Sequence, residues 1–380
     1  MGEGDIGAVI ESFNYDAVYA HAPEILKVYD TIYAVAYTCA NGDGFLFTID
    51  ISNAGDIAGA VIDTIEFEGT DCHNLAFIHV TGNVYFLVYQ RTAGRGFMGT
   101  ISIDNAGNIG GTWLDFLDLG ALLVGGPSLV QVAPTIFAFA YQGAIDDGFV
   151  STIEVLSGGQ VGASLIDTFE FGPSNGLNCK IVHVSGNVFA IAYRGNGLAG
   201  MVCTVSIDAS GNIGGSVIDT LNFDAGACEH PDIIHITGEI YAIAYSGADA
   251  DGFLVTFTIS NAGAIGAAVI DSFEFDTTLA TTPMIIHVSG EVYVIMYRGD
   301  ADDGWLCTVN IDDAGEIGAA VIDSFEFTAD FTSYPAIIHC AESIYAMVYG
   351  SATNIGWMQT ITINTVYIEG VRHELLMGIG

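Results

Sequence analysis

A spacing of 52 residues recurs along almost the whole chain and limits its possible folds more than any other feature. An aromatic residue at the start of an apolar run returns at this spacing without insertion or deletion. Its positions are Tyr33, Tyr85, Phe137, Phe189, Tyr241, Tyr293 and Tyr345. A glycine keeps the same register from Gly44 to Gly356, and a threonine does so from Thr48 to Thr360. Because a fixed period of this length is typical of stacked copies of one supersecondary unit, we predict seven equivalent units.

Each repeat has room for four short strands. In the copy over residues 233–277, β-rich runs at 233–236, 240–245, 252–259 and about 267–275 are separated by turn residues. We name these strands A, B, C and D. No window has the 3.6-residue apolar period of a helix. Four antiparallel strands in a repeat of this length form the blade of a propeller. The sequence therefore predicts an all-β, seven-bladed β-propeller with four antiparallel strands per blade.

The two ends of the repeat array are complementary. Residues 9–13 match strand D, whereas the last regular copy stops after strand C near Asn364. If residues 4–16 pair with that copy, they complete the seventh blade and remove an exposed strand edge. This closure resembles that of the β-propeller superfamily, although no subfamily signature keeps register. We predict one propeller domain over residues 1–364, and a tail or linker over residues 365–380.

The charge balance restricts the partners. Seven Lys and Arg residues stand against 45 Asp and Glu, which gives a formal net charge of −38. A uniformly negative surface repels a phosphate backbone, so we expect no nucleic-acid partner. No apolar run approaches the roughly 20 residues of a membrane helix, so we expect no membrane insertion. The prediction is a soluble, monomeric propeller, alone or within a longer chain, whose compartment stays open.

Positions kept in every blade indicate structure rather than function, because they satisfy something that every blade contains. A histidine near the end of strand A, replaced by Lys27 and Gln131 in two blades, an acid near strand D and a threonine in strand C form three such columns. We predict a polar network within each blade, in which the histidine faces the acid or the threonine. An alternative is a ring of imidazoles around the central channel that holds an anion or a metal. The network residues are His79, His183, His235, His287 and His339, then Asp63, Asp167, Asp219, Asp271 and Asp323, then Thr204, Thr256 and Thr308.

The positions that change from blade to blade lie in the D-to-A and B-to-C loops. In an antiparallel blade both kinds of loop emerge on one face, while the nearly constant A-to-B and C-to-D turns emerge on the other. Diversified loops on a rigid scaffold usually carry recognition, and drift of unconstrained loops is the alternative. Aromatic and basic residues in these loops suit stacking and hydrogen bonding to a sugar or peptide. The candidate ligand-binding residues are Arg91, Arg95, Arg194, Arg298, Tyr19, Phe331 and Tyr334.

Aspartates beside glycines in the B-to-C loops offer the oxygen ligands that Ca²⁺ prefers. These residues are Asp249, Asp251, Asp300, Asp302 and Asp303. The alternative is a set of solvated turns. No other cofactor is expected, and Ca²⁺ is optional because several blades lack the acids.

Three functions fit these patterns. The leading one is a non-enzymatic recognition module that binds a glycan or a protein surface with the D-to-A and B-to-C loop face. The first alternative is a scaffold or surface-structure propeller without a small ligand. The second is a hydrolase or lyase with its active site in the central pocket. We assign no catalytic residues, since catalysis needs asymmetric groups with displaced pKa values and the repeat is highly regular.

Overall fold

A computed structural model describes residues 2–351 and 355–365 of the chain. The described residues form seven separate four-stranded antiparallel sheets, in agreement with the predicted propeller. Within each blade strand A is innermost, because the A strands of neighbouring blades contact one another around the whole ring. Residues 366–380, which include most of the predicted tail, lie outside the described part.

The strands and short 3-10 turns follow the repeat. Blades one to three are β2 (His21–Tyr29), β3 (Ile32–Thr38), β4 (Gly44–Asp50), β5 (Asp63–Glu68); β6 (His73–Thr81), β7 (Val84–Gln90), β8 (Arg95–Ser102), β9 (Asp115–Leu123); β10 (Gly125–Ala133), β11 (Ile136–Gln142), β12 (Gly148–Glu154) and β13 (Asp167–Gly172). Blades four and five are β14 (Leu177–Ser185), β15 (Val188–Arg194), β16 (Gly200–Ser206), β17 (Asp219–Asp224); β18 (Glu229–Thr237), β19 (Ile240–Ser246), β20 (Gly252–Thr258) and β21 (Asp271–Asp276). Blades six and seven are β22 (Thr281–Ser289), β23 (Val292–Arg298), β24 (Gly304–Asn310), β25 (Asp323–Thr328); β26 (Ser333–Ala341), β27 (Ile344–Gly350), β28 (Gly356–Ile363) and β1 (Ile6–Asp16). The 3-10 turns are Ala40–Gly42, Thr92–Gly94, Asn196–Leu198, Ala248–Ala250 and Asp300–Asp302.

The amino-terminal strand closes the ring, as the sequence predicts. β1 pairs antiparallel with β28, so that Phe13 lies opposite Met358. Backbone hydrogen bonds continue this pairing beyond the strands, from Gly4 N–H to the carbonyl oxygen of Asn364 at 2.8 Å. β26 also contacts β2 of the first blade. The seventh sheet is therefore complete, and its outer edge is formed by the amino terminus.

The hydrophobic core lies between the blades. Strand B is buried on both sides in every blade, as in Ala242 and Ile243 of β19. The repeated glycine lies at the start of strand C. In six of the seven blades an aromatic ring of strand D packs directly against it. A Cβ on Gly252 would lie 2.4 Å from the Phe275 ring, and one on Gly304 would lie 2.3 Å from the Phe327 ring. A larger residue would therefore push the outer strand away, which explains why glycine keeps this register.

The kept polar columns join neighbouring blades, so the predicted pairing within each blade is wrong. Thr204 Oγ1 donates to the carbonyl oxygen of Gly263 in the next blade at 2.6 Å. Asp219 Oδ2 accepts the Ile265 N–H of that blade at 2.8 Å. The same two bonds recur at all seven interfaces, including the one that residues 4–6 form with the sixth blade. We call this pair of bonds the blade latch.

Each histidine of the column contacts the A-to-B turn of its own blade. His235 Nε2 lies 3.0 Å from the carbonyl oxygen of Gly238 in the A-to-B turn, and its ring packs at 4.9 Å from Tyr241. The other four histidines of the column make the same turn contact. Strand A is innermost and strand D outermost, so histidine and acid lie at opposite edges of the sheet and cannot meet. Among the described residues no three histidines are arranged to hold a metal ion, and the alternative of an imidazole ring that binds an anion stays a prediction.

We expect the loss of one latch bond to lower the free energy of unfolding equally at an ordinary interface and at the interface that the amino terminus closes. Thr204→Val and Thr308→Val each remove a buried donor, and each leaves a glycine carbonyl oxygen without its partner. We expect each substitution to lower the free energy of unfolding by about 1–2 kcal/mol, measured by equilibrium urea unfolding. If Thr308→Val cost nothing while Thr204→Val did, the amino terminus would not be latched in solution.

Candidate functional site

The innermost strands begin about four residues earlier than the sequence predicts. In the fifth blade, strand A runs over Glu229–Thr237, whereas the pattern placed its start at Ile233. His230 and Pro231 together oppose one residue of strand B, which makes a β-bulge. The four added residues bring side chains that the sequence assigned to loops into the central channel.

The second residue of each strand A has a left-handed backbone and lies near the channel opening on the variable face. Its φ is 48° at His230 and 43° at Tyr334. Although the backbone conformation is the same in every blade, the side chain differs almost everywhere. This position is therefore one of those that break the sevenfold symmetry. The seven residues are Ala22, Asn74, Gly126, Asn178, His230, Thr282 and Tyr334.

A cavity of about 510 Å³ opens on the variable face, beside the channel, between blades four and one. We call it the mouth cavity. The Tyr334 ring lies edge-on to His21 at 4.8 Å and to His230 at 5.8 Å, so three blades bring aromatic rings together. Thr282 also lines the cavity, and its hydroxyl is buried without a hydrogen-bond partner among the described residues. The mouth cavity thus combines aromatic rings with a few polar groups in a mostly apolar lining.

The charged groups that line the mouth cavity are Arg298 and Glu229, and two neutral imidazoles lie beside them. The Arg298 guanidinium lies over the Phe331 ring at 5.2 Å, and its Nε donates to Thr281 Oγ1 at 2.7 Å. Burial lowers the pKa of His21 and of His230 below the ordinary histidine value. Both imidazoles are therefore neutral at pH 7, and each offers one donor and one acceptor to a ligand.

The structure brings together three of the seven candidate ligand-binding residues. Arg298, Phe331 and Tyr334 line the mouth cavity. Two others support it from outside: Arg194 forms an ion pair with the lining residue Glu229, and Tyr19 stacks at 6.4 Å on His21.

The remaining two arginines lie on the second blade, away from the mouth cavity. Arg91 pairs with Glu68 at 3.0 Å and covers the Phe97 ring at 4.2 Å. Arg95 pairs with Asp118 at 3.0 Å. Both guanidinium groups already have carboxylate partners, so they do not share a site with Tyr334.

The candidate calcium ligands lie in the B-to-C loops. Asp302 is 3.5 Å from Arg298, and Asp300 Oδ1 accepts the N–H of Ala301. Within residues 2–351 and 355–365, no group of three or more His, Cys, Asp or Glu side chains is arranged to hold a metal ion. Calcium binding at these loops, Asp249, Asp251 and Asp303 included, stays a prediction.

A second cavity, of about 280 Å³, lies among the A strands of all seven blades. We call it the lumen cavity, and it shares His230, Thr282 and Tyr334 with the mouth cavity. The fourth residue of each strand A also changes from blade to blade, and it includes side chains of both charges. Across the blades it is Glu24, Ala76, Ser128, Lys180, Asp232, Met284 and Ala336.

Three charged residues at this level face one another. Lys180 Nζ lies 3.9 Å from Asp232 Oδ1 of the neighbouring blade, and Asp232 Oδ2 accepts the Ile285 N–H at 2.9 Å. Glu24 belongs to the first blade, which in a ring of seven stands opposite the junction of blades four and five. Among the described residues, Glu24 has no hydrogen bond and no ion pair of its own, although it interacts electrostatically with Lys180 and Asp232.

The lumen shifts the protonation equilibria of these groups. Burial raises the pKa of Glu24 and of Asp232, and Lys180 offsets part of the rise at each. Burial alone would lower the pKa of Lys180, but Asp232 and Glu24 outweigh it, so the pKa is raised and the amine stays protonated. The sequence argument against asymmetric groups with displaced pKa values therefore does not apply to the lumen cavity. The sequence contained a signal for these groups, because the fourth position of strand A carries both acidic and basic side chains.

Comparisons with known proteins show the fold and nothing finer. No protein-family model and no curated protein sequence matches this chain. Among solved structures it is similar to a periplasmic gluconolactonase, PpgL, of Pseudomonas aeruginosa, with 13% identity over 79% of this chain and 83% of that chain and a TM-score of 0.57. It is similar to Sqt1 from Chaetomium thermophilum, with 13% identity over 94% of this chain and 100% of that chain and a TM-score of 0.57. BBS1N in complex with ARL6DN shares 8% identity over 95% of this chain and 98% of that chain, with a TM-score of 0.57.

The described helices are all single short turns. None of them has the length or the apolar character needed to cross a bilayer.

The raised pKa of Glu24 predicts a substitution that stabilises the fold. The folded state binds the Glu24 proton more tightly than the unfolded state, so stability falls as pH rises through the raised pKa. Glu24→Gln removes this loss, and we expect a higher melting temperature than wild type at pH 7. The difference should disappear below the ordinary value of 4.5, where Glu24 is protonated in both states. Thermal unfolding between pH 3 and 8 tests this, with Glu239→Gln on the exposed A-to-B turn as the matched control.

Proposed function

We propose that this chain is a non-enzymatic recognition module that binds a glycan in the mouth cavity. The proposal depends on one observation: Tyr334, His21 and His230 converge from three blades on the variable face. Sugar rings carry apolar C–H faces that stack on aromatic side chains, and their hydroxyls pair with nearby donors and acceptors. The neutral imidazoles, Thr281 and Arg298 supply such groups beside the Tyr334 ring.

The shape of the site favours a small ligand over a flat protein surface. Its volume of about 510 Å³ lies within the range of roughly 300–1,000 Å³ that is usual for small-molecule pockets. A stable protein interface covers about 800 Å² on each partner, which a cavity of this size does not provide alone. The structure of BBS1N in complex with ARL6DN illustrates a protein partner on a propeller, and this remains the alternative occupant.

A hydrolase or lyase that acts in the lumen cavity is the second candidate. Glu24 and Asp232 are carboxyl groups with raised pKa values, which suits general acid and base roles. The gluconolactonase similarity adds lactones to the substrates worth testing. Turnover of a lactone or glycoside that Glu24→Gln or Asp232→Asn abolishes would favour this candidate. Glycan binding without turnover would favour the recognition module.

The glycan proposal predicts a selective loss of binding. Tyr334→Ala removes the central ring of the mouth cavity, and we expect about tenfold or greater weakening of any glycan found on an array, measured by calorimetry. Tyr29→Ala is the matched control, because Tyr29 is 56% exposed on the opposite face and Tyr334 is 38% exposed.

Two arginine substitutions distinguish binding in the mouth cavity from binding elsewhere on the variable face. Arg298→Ala should weaken the same glycan, whereas Arg95→Ala should leave its affinity unchanged because Arg95 lies on the second blade. Equal losses from both, or none from Tyr334→Ala, would contradict the site.

A further inference from the structure

The lumen cavity carries one negative charge in excess. Glu24 and Asp232 contribute two carboxylates, and Lys180 contributes the one ammonium group at this level. The protonated amine of Lys180 lies on the side of Asp232, at 3.9 Å. Asp232 also accepts the Ile285 N–H. Glu24 is left as the carboxylate without a hydrogen bond or ion pair among the described residues.

There is space beside Glu24. Its neighbours at the same level of the ring are Ala76 in the second blade and Ala336 in the seventh, the smallest side chains of this column. Lys180 and Asp232 face it from the far wall. A group that enters through the mouth cavity can therefore reach Glu24 without displacing Lys180 from Asp232.

A ring of aliphatic residues follows this level along the A strands. Because side chains alternate along a strand, residues two positions further along strand A share the same face. All seven are Leu, Ile or Val: Leu26, Ile78, Val130, Val182, Ile234, Ile286 and Ile338. These side chains are partly buried and pack against the clusters between the blades. A charge pair beside such apolar surroundings is stronger than one at the surface.

We infer that the lumen cavity binds a primary ammonium group, with the Glu24 carboxylate as its main partner. A monocation neutralises the excess charge, whereas a neutral alcohol leaves it and an anion adds to it. The net charge of −38 raises the local concentration of cations around the chain, and the Tyr334 ring at the entrance offers a favourable face to one. The ammonium group can belong to an amino sugar or to a lysine side chain. The inference shares an entrance with the proposed glycan site but does not depend on it.

Three probes of equal size and different charge test the inference. n-Butylamine, n-butanol and butyrate are titrated into the full chain at pH 7, with chemical-shift changes and calorimetry as readouts. We expect saturable one-to-one binding of butylamine and no saturable binding of the other two. The many surface acids give only weak, unsaturable association with amines, because each is screened by solvent and salt.

Two substitutions in this column assign the site. Glu24→Gln keeps the shape and removes the charge, and we expect at least about tenfold weaker butylamine binding. Lys180→Met places the residue of the sixth blade in the fourth and raises the excess negative charge, so butylamine should bind several-fold more tightly. Glu239→Gln should change nothing. Thermal unfolding of each variant establishes that it is folded before it is titrated.

The outcomes are distinct. Unchanged butylamine affinity in Glu24→Gln, or no saturable binding to the wild type, overturns the inference. Butyrate binding that Lys180→Met abolishes would make the lumen an anion site and overturn it as well. When the inference holds, glucosamine and an Nα-acetylated lysine ester, whose side-chain amine is free, identify the source of the amine. A neutral glycan that binds only through Tyr334 supports the mouth cavity and leaves the amine result untouched, so the two proposals fail separately.

Discussion

The blade latch is the interaction on which the rest of the structure depends. No blade can bury both of its apolar faces alone, so each must be held against the next at a fixed angle. The latch sets this angle with a buried threonine that donates to a glycine carbonyl oxygen and an acid that accepts a backbone N–H. The ring closes only if all seven blade interfaces keep the same angle. The latch therefore limits variation in strands C and D and in their turn.

The same constraint leaves the innermost strands free to vary. The latch residues lie in strands C and D, whereas the second and fourth residues of strand A face the channel and pack against no equivalent partner. Tyr334 replaces Ala22 at one level, and Lys180 replaces Ala76 at the next, without any change in the ring. A regular scaffold can thus carry an asymmetric site, because regularity is required at the blade interfaces and not at the axis.

The fold could be predicted from the sequence because its signals are local and repeated seven times. The period, the turns and the complementary ends all point to one arrangement. The start of strand A could not be predicted, since five blades have proline at its third residue, which normally argues against a strand interior. The left-handed residue before it, such as His230, also resembles a loop. A β-bulge accommodates both, and bulge geometry depends on the pairing with strand B. Arg298, Phe331 and Tyr334 were found because they lie in or beside the variable loops. Glu24, Lys180 and Asp232 were missed together with the bulge.

The partners of the polar columns show why composition alone misassigns them. Histidine, acid and threonine recur together, and sequence reasoning paired them because buried polar groups need partners. The structure satisfies each of them with backbone atoms, and two of the three reach the next blade. Glu24 is the opposite case, because it has no hydrogen bond or ion pair among the described residues and lies in a cavity that raises its pKa. Since the latch does not include strand A, a charge that opposes folding can persist there without loss of the ring. The scaffold does not require a carboxylate at this position, since two other blades have alanine there, and the proposed ammonium ligand supplies a reason for one.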